Sequence, residues 1–581
     1  MRLAPATLVL QRLTSLTARV AVVLCVSAAA HATEIDTLVV IGSDQSSVYD
    51  VAQPVVVLDK DAIDRNTGAT LGTLLENLPG VSNASFGPGV GRPVIRGVGG
   101  SRVKILVNGS DAADLSAMSS DHAPMAEPIA AEKVEVLYGP AALLYGGGAV
   151  GGVVNVIDGR IREQPGQGLN GSTAMRGSSV DQGYGVDAVL QGSIGNWSLH
   201  LDGFKRDAGE YRSGTRGRVP AGFNSGRISN SDSESRGGTL ALSWAHGERG
   251  FVGGSISTLQ SDYGVPNLDG AEFRVTPDQI RYDIKGAWWP DPAGMFGWLE
   301  EWRTELSFND YEHAETGEEY DIPGAPIVDV GVFEQQTWEF RSRLRHAPIG
   351  AWQGTFGVHV THQDLALCHN HGGCDGIPAF SEPWNGAMGF NLANRQRGGF
   401  RLSHDSPMPL ARKFEAGLFL VEQRDWSRGI VEVGARVDRV SLRLDPEPIN
   451  PNWRQQRSYY DNRSYTPLSV FTAGTWVLSD RQRLGLSLGR VQRAPDAPEI
   501  LWNGDHHATF SFQLDNPDLR TETAWTVDLN WLRETQRNTY RAAVFHYRFD
   551  DYIYNDLKNF TDPFHGNDVY RYEQADGRFL G

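Results

Sequence analysis

The sequence predicts an all-β transmembrane barrel with a small α/β domain, N-terminal to it, lodged inside. Three observations carry that fold class. From about Gly168 onward, apolar and polar residues alternate with period two over some four hundred residues, the pattern of strands with lipid on one face and water on the other. Before it, Val134 to Val156 reads VEVLYGPAALLYGGGAVGGVVNV, two β-type runs flanking the glycine-dense turn Gly146 to Gly148. Glycines at this density allow positive φ and close backbone approach, which suits a compact unit with little room for side chains. Finally, no run of eighteen apolar residues occurs, which argues against transmembrane helices but not against transmembrane strands.

Composition agrees. Mean hydropathy is −0.34, as expected where alternating strands average out. The 15 Trp, 18 Tyr and 23 Phe suffice for aromatic girdles at two lipid interfaces. A formal charge of −17 argues against nucleic acid as a partner; it fits a surface that attracts cations, and a solubility role explains it equally well.

The elements follow in order. Residues 1–32 read as a secretory signal: Arg2, Arg12 and Arg19 precede the apolar run Val20 to Val26, and Ala30-His31-Ala32 offers a small-x-small cleavage site. Residues 33–49 hold the β-prone Asp36-Thr37-Leu38-Val39-Val40 and a polar flexible stretch. The pentapeptide has no local partner, so it either adds to the sheet edge of another protein or begins the next domain. Residues 50–162 form the α/β unit. Leu71, Leu74, Leu75 and Leu78 share one face of a short helix that ends before Pro79-Gly80, and strands follow at Arg92 to Val98 and Val103 to Val107.

Residues 163–581 form the barrel. Trp197, Leu199 and Leu201 alternate with Ser198, His200 and Asp202, and Leu484, Leu486 and Leu488 alternate with Gly485, Ser487 and Gly489. Short turns such as Ile194-Gly195-Asn196 contrast with long polar segments, Arg206 to Arg236 and Asn309 to Val330, which read as loops.

The order LPGV, RPVIRGVGG, ILVNG and VEVLYGPAALLYGGGAVGGVVNV resembles the plug of TonB-dependent outer-membrane receptors. The resemblance implies a gated transporter of the bacterial outer membrane, monomeric and not an enzyme. It makes Asp36, Thr37, Leu38, Val39 and Val40 a TonB box, pulled by TonB and its inner-membrane energising complex. It also implies 22 strands in a complete barrel. Asn516-Pro517-Asp518-Leu519 with Glu522 resembles a motif that several further strands usually follow, so the chain reads as C-terminally truncated.

Three dispersed segments resemble the zinc-uptake branch of these receptors: Ser119-Ser120-Asp121-His122-Ala123, Phe333-Glu334, and Gly504-Asp505-His506-His507-Ala508-Thr509. Carried over, the metal ligands are Asp121 and His122 from the plug, Glu334 from the barrel and His506 from a loop, with His507 an extra candidate. Two imidazoles and two carboxylates suit four-coordinate zinc, and the absence of thiolates suits a carrier that must release it. Ligands divided between plug and barrel would part when TonB moves the plug.

A second cluster, Cys368-His369-Asn370-His371-Gly372-Gly373-Cys374, reads as a disulfide between Cys368 and Cys374 in an oxidising compartment, or as thiolate zinc ligands. His369 and His371 would then sit at a loop tip, capturing zinc or serving as ordinary surface residues.

The competing cargo is haem. Haem receptors of the same fold carry an R-A-P run and an NP-x-L run with a histidine between; Arg493-Ala494-Pro495, Asn516-Pro517-Asp518-Leu519, His506 and His507 fit that order. An iron–siderophore ranks third. A zinc hydrolase is disfavoured, because neither an H-E-x-x-H helix nor a serine nucleophile elbow occurs.

Overall fold

A computed structural model describes residues 38–39, 46–47 and everything from 55 onward except 66–69, 130, 140–142, 144, 213–225, 267–271, 319–323, 370–373, 375–394, 398–399, 403–407, 409, 446–461 and 536. The side chains of 38–39, 46–47, 395–397, 400–402, 444–445 and 507 are likewise outside the described set. The signal segment, His371, and Asp36, Thr37 and Val40 of the pentapeptide lie outside it as well. Leu38–Val39 is a two-residue strand.

The N-terminal α/β unit is built on a five-stranded mixed sheet. Its order is Val55–Asp59, Lys133–Tyr138, Gly152–Ile157, Val103–Val107 and Ser110–Asp111. Gly152–Ile157 is buried along its whole length, which explains the near-continuous apolar run there. It pairs parallel with Val103–Val107 and antiparallel with Lys133–Tyr138. Gly152 has φ +140°, and a Cβ there would lie 2.1 Å from the Leu137 carbonyl oxygen, so only glycine lets these strands close. The helix Leu71–Leu75 is capped by Thr70, whose hydroxyl accepts from the Thr73 N–H at 3.3 Å. Its Leu71, Leu74 and Leu75 pack with Ile63, Val81, Ile95, Val134, Val136 and Val154.

From Leu169 the chain forms one 19-stranded sheet ending at Leu580, with three strands of only three or four residues. Neighbouring long strands pair antiparallel, as Trp197–Ala208 does with Ser233–Ala245. The alternation resolves as the pattern requires. Trp197, Leu199, Leu201, Leu240 and Leu242 stand exposed on the outer face, while Ser198 and His200 are buried on the inner one. An outer face of exposed leucine and tryptophan is stable only against lipid.

One segment departs from expectation. Asn309 to Val330 is not a loop: the strand Leu299–Glu318 runs through its first half and Ile327–His346 begins within its second. Both strands are 20 residues long and so continue well beyond the hydrocarbon layer. Above it, polar residues on both faces erase the alternation by which a strand is read.

Residues Val39–Gly581 form one compact unit, with the α/β domain held against the inner wall of the sheet. Arg96 pairs with Asp528 and donates to the Tyr547 hydroxyl at 2.9 Å. The Arg102 Nε donates to Glu522 Oε1 at 2.8 Å, and its guanidinium lies 4.0 Å from the centre of the Tyr552 ring. All four charged side chains are buried or nearly so, and each charge meets its opposite.

Candidate metal centre

The plug segment Asp111 to Met125 is the candidate site's inner wall, and the barrel positions it by its backbone. Gln279 Nε2 and Asn309 Nδ2 both donate to the Ala112 carbonyl, at 2.9 and 3.0 Å. Gln335 Nε2 reaches the Ala113 carbonyl at 2.9 Å, and Arg281 the Asp111 carbonyl at 2.8 Å. Within the segment, Asp114 accepts from the Ser116 and Met125 N–H groups, closing the loop on itself. Arg92 ties down the Ser116 and Ser119 carbonyls, at 3.0 and 2.8 Å. Tyr263 donates to the Asp121 carbonyl at 2.8 Å and accepts from the Ala123 N–H at 3.0 Å. These bonds, rather than a strand ladder, orient the loop's side chains.

Held this way, His122 meets two residues of the barrel strand Leu299–Glu318. Its Nε2 lies 2.9 Å from Glu315 Oε1, and its ring centre 4.5 Å from that of His313. His313 Nε2 is 3.7 Å from the same Glu315 oxygen, beyond hydrogen-bond reach. The donor atoms of His122, His313 and Glu315 all fall within 4.8 Å of one another, and all three residues are buried. Asp121 Oδ2 stands 3.9 Å from His122 Nε2, while its other oxygen accepts from the Ser119 hydroxyl.

The hydrogen bonds of His122 constrain its chemistry. Nδ1 lies 3.1 Å from the Leu115 carbonyl, which can only accept, so Nδ1 carries a hydrogen. If the ring were neutral, the lone pair on Nε2 would face a carboxylate oxygen at 2.9 Å, an unfavourable contact. Two arrangements relieve it: a second proton on Nε2, or a cation shared between Nε2 and Glu315. Burial alone would push the His122 imidazole down, but the Asp121 charge and the Glu315 hydrogen bond prevail and raise its pKa above the usual 6.5. The site thus holds a proton where it could hold a metal. Tetrahedral zinc with bonds of roughly 2.0–2.2 Å needs donors about 3.3–3.6 Å apart. The observed 2.9, 3.7 and 3.9 Å bracket that spacing.

A column of rings closes the site. His313 stacks on Phe333 at 4.3 Å, Phe333 lies parallel to Trp502 at 6.1 Å, and Trp502 stacks on His506 at 4.4 Å. His506 lies outside the three-residue group yet within range of the charges on Asp121 and Glu315, and burial pushes its imidazole down to about 4. It therefore stays neutral over the working pH range.

Comparison with known proteins bears on the two-part architecture and not on the zinc-uptake branch. Residues 47–153 match the TonB-dependent Receptor Plug Domain family model, and residues 148–581 match that of the TonB dependent receptor-like β-barrel. The chain belongs to the TonB-dependent receptors. These are transporters of the bacterial outer membrane that work with TonB. Among the curated relatives of this receptor, the Hemin receptor of Yersinia pestis is 30% identical over 186 residues, covering 31% of this chain and 27% of that one. The vitamin B12 transporter BtuB of Photobacterium profundum is 30% identical over 153 residues, 26% of this chain and 24% of that one. The matches thus span about a quarter of those relatives' length. Among solved structures, the Serratia marcescens hemophore receptor HasR superposes with a TM-score of 0.68 at 16% identity, covering 92% of this chain and 79% of that one. The copper transporter OprC gives 0.67 at 16% identity, covering 91% and 75%. At that identity these two attest the fold alone.

Of the expected ligands in the receptor, Asp121 and His122 lie at the cluster and His506 borders it. Glu334 does not. On Ile327–His346 the buried positions are Phe333, Gln335 and Thr337, so Glu334 points to the opposite face, beside Glu312 on the neighbouring strand. The carboxylate that does reach the plug is Glu315, and with it His313; both were hidden in a segment read as loop. Their signal in the sequence was the spacing His313-x-Glu315, which on a strand puts both on one face. Cys368 and Cys374 are disulfide-bonded, with Cα atoms 6.1 Å apart, so their thiols are not ligands. His369 is not at a loop tip either. It ends the strand Trp352–His369, is buried, and packs edge-on against Trp502 at 6.1 Å. The backbone of His507 starts a short 3-10 turn; its side chain lies outside the described residues.

Proposed function

We propose that this receptor imports a bare divalent transition-metal ion, zinc foremost, held between plug and barrel by His122, His313 and Glu315 with Asp121 alongside. The observation that carries the reading is the facing of His122 Nε2 and Glu315 Oε1 at 2.9 Å with Nδ1 already committed to a carbonyl. Such a pair calls for a positive charge between its members. Two neutral imidazoles and two carboxylates form an intermediate-strength set without thiolates, tight enough to capture and weak enough to release. Release follows from the division of ligands: displacing the plug carries Asp121 and His122 away from His313 and Glu315. The segment around Leu38–Val39 would serve as the TonB attachment, so deleting residues 36–41 should stop energised uptake and leave ligand binding intact.

Haem is the second reading, and the relatives' names favour it, since the Yersinia pestis match is a Hemin receptor. In that reading the neutral His506 would be the axial ligand. One experiment separates the two. Purified receptor is titrated with Zn2+ by calorimetry and, in parallel, with hemin while the Soret band is followed. Zinc binding that disappears in His122→Ala, with no hemin-induced Soret shift, supports the ion. A Soret shift lost in His506→Ala, with zinc affinity unchanged in His122→Ala, overturns it in favour of haem.

A further inference from the structure

Beyond the plug–barrel cluster, a second group of side chains able to ligate a metal lies where the strand Gly504–His506 meets the turn that follows Thr561. Asp505, Asp562 and His565 offer ligand atoms within 4.8 Å of one another. Asp505 and Asp562 are buried, whereas the His565 side chain is partly open to solvent. His565 Nδ1 lies 3.3 Å from Asp505 Oδ2. Two loops far apart in sequence thus meet at one point, and the structure fixes both firmly.

Asp562 is oriented by its own turn, accepting from the N–H groups of Phe564 and His565 at 2.7 Å each and from Asn567. Asp505 sits in the short strand Gly504–His506, which pairs antiparallel with Ser511–Leu514. That strand in turn pairs parallel with Asp568–Arg571, next to the turn that holds His565. Buried Phe512, Leu514 and Val569 pack beneath, with Phe560 and Phe564 against them. Two carboxylates brought this close, with one imidazole, form an anionic, oxygen-rich set matched to a divalent cation.

The geometry points to a second, outer cation site made by Asp505, Asp562 and His565, from which an ion is passed to the inner cluster. Asp505 and His506 are consecutive residues of one strand, so their side chains leave opposite faces. Asp505 turns to the outer group, while His506 stacks on Trp502 beside the inner one. A single peptide unit therefore joins the two sites. His565, open to water, receives the ion; the buried carboxylates strip its hydration; His506 is the next donor inward. The handover, though not the outer site itself, rests on the reading of the inner cluster as the cargo site.

The test is Zn2+ titration of the full chain in detergent, wild type beside His565→Ala, Asp505→Asn and His122→Ala, with circular dichroism of each variant to confirm folding. Wild type should bind two equivalents. His565→Ala, a change at a partly exposed side chain, should lose the weaker by at least tenfold and keep the other, and Asp505→Asn should do the same. His122→Ala should lose only the tighter one. A second equivalent retained in folded His565→Ala, or a wild type that binds a single equivalent untouched by His565→Ala, overturns the outer site. Loss of one equivalent in His565→Ala with none lost in His122→Ala keeps the outer site and refutes the inner one.

Discussion

Two of the seams that join the plug to the barrel differ in how charge is balanced. At one, Arg96 meets Asp528 and Arg102 meets Glu522, buried guanidinium against buried carboxylate. Those cations are permanent, so the seam is closed whether or not cargo is present. At the other, His122 meets Glu315, His313 and Asp121, and among the described residues the ion-pair partners of these two carboxylates are imidazoles, which carry charge only when protonated. The contrast assigns a division of labour. Arginines seat the plug; in the proposed metal reading, histidines make one part of its seating depend on what is bound.

The largest expected effect attacks the permanent seam. Arg102→Ala leaves the buried Glu522 with Arg493 at 3.7 Å and the Ile553 N–H but without its direct guanidinium hydrogen bonds, a loss of about 3 kcal/mol. Limited proteolysis should find the plug cleaved far faster than in wild type, while zinc affinity of the folded fraction changes little. Next comes the histidine seam: His122→Ala should lower zinc affinity about 100-fold or more by calorimetry, as should Glu315→Ala, with plug proteolysis near wild type. Glu334→Ala is the matched control and should leave affinity within about twofold, because that side chain faces away from the cluster.

A smaller effect follows from pH. The raised pKa of His122 means that metal must displace a proton from it at a higher pH than from free imidazole. Zinc affinity should be full above that raised value and fall about tenfold per unit below it. Metal-free receptor should show the opposite trend. The His122–Glu315 contribution is fully present below about pH 6.5 and lost as pH rises through the folded-state value. Plug protection without metal should therefore weaken as pH rises above 6.5 through the raised His122 value in wild type and stay flat in His122→Ala.

What could be read along the chain, and what could not, divides at the edge of the membrane. Within the lipid layer, Trp197, Leu199 and Leu201 alternate with Ser198 and His200 because water and hydrocarbon impose opposite demands on successive residues. Above it, Asn309 to Glu318 continues the same strand with polar residues on both faces, so the alternation vanishes and His313 and Glu315 passed as loop. Glu334 failed for a related reason. It was placed by a two-residue likeness, and a single-residue offset on a strand reverses the face, so Phe333 took the inner position instead. Asp121 and His122 were legible because Pro124 and the serines before them announce an irregular loop, where adjacent side chains need not diverge.

The sequence by itself determined the two-part architecture, since glycine spacing and period-two hydropathy are local demands that neighbours along the chain must meet. Which barrel residues face His122 was decided only in three dimensions. That choice depends on strand register and on how the plug is seated, and both are fixed by contacts hundreds of residues apart, such as Arg102 with Glu522.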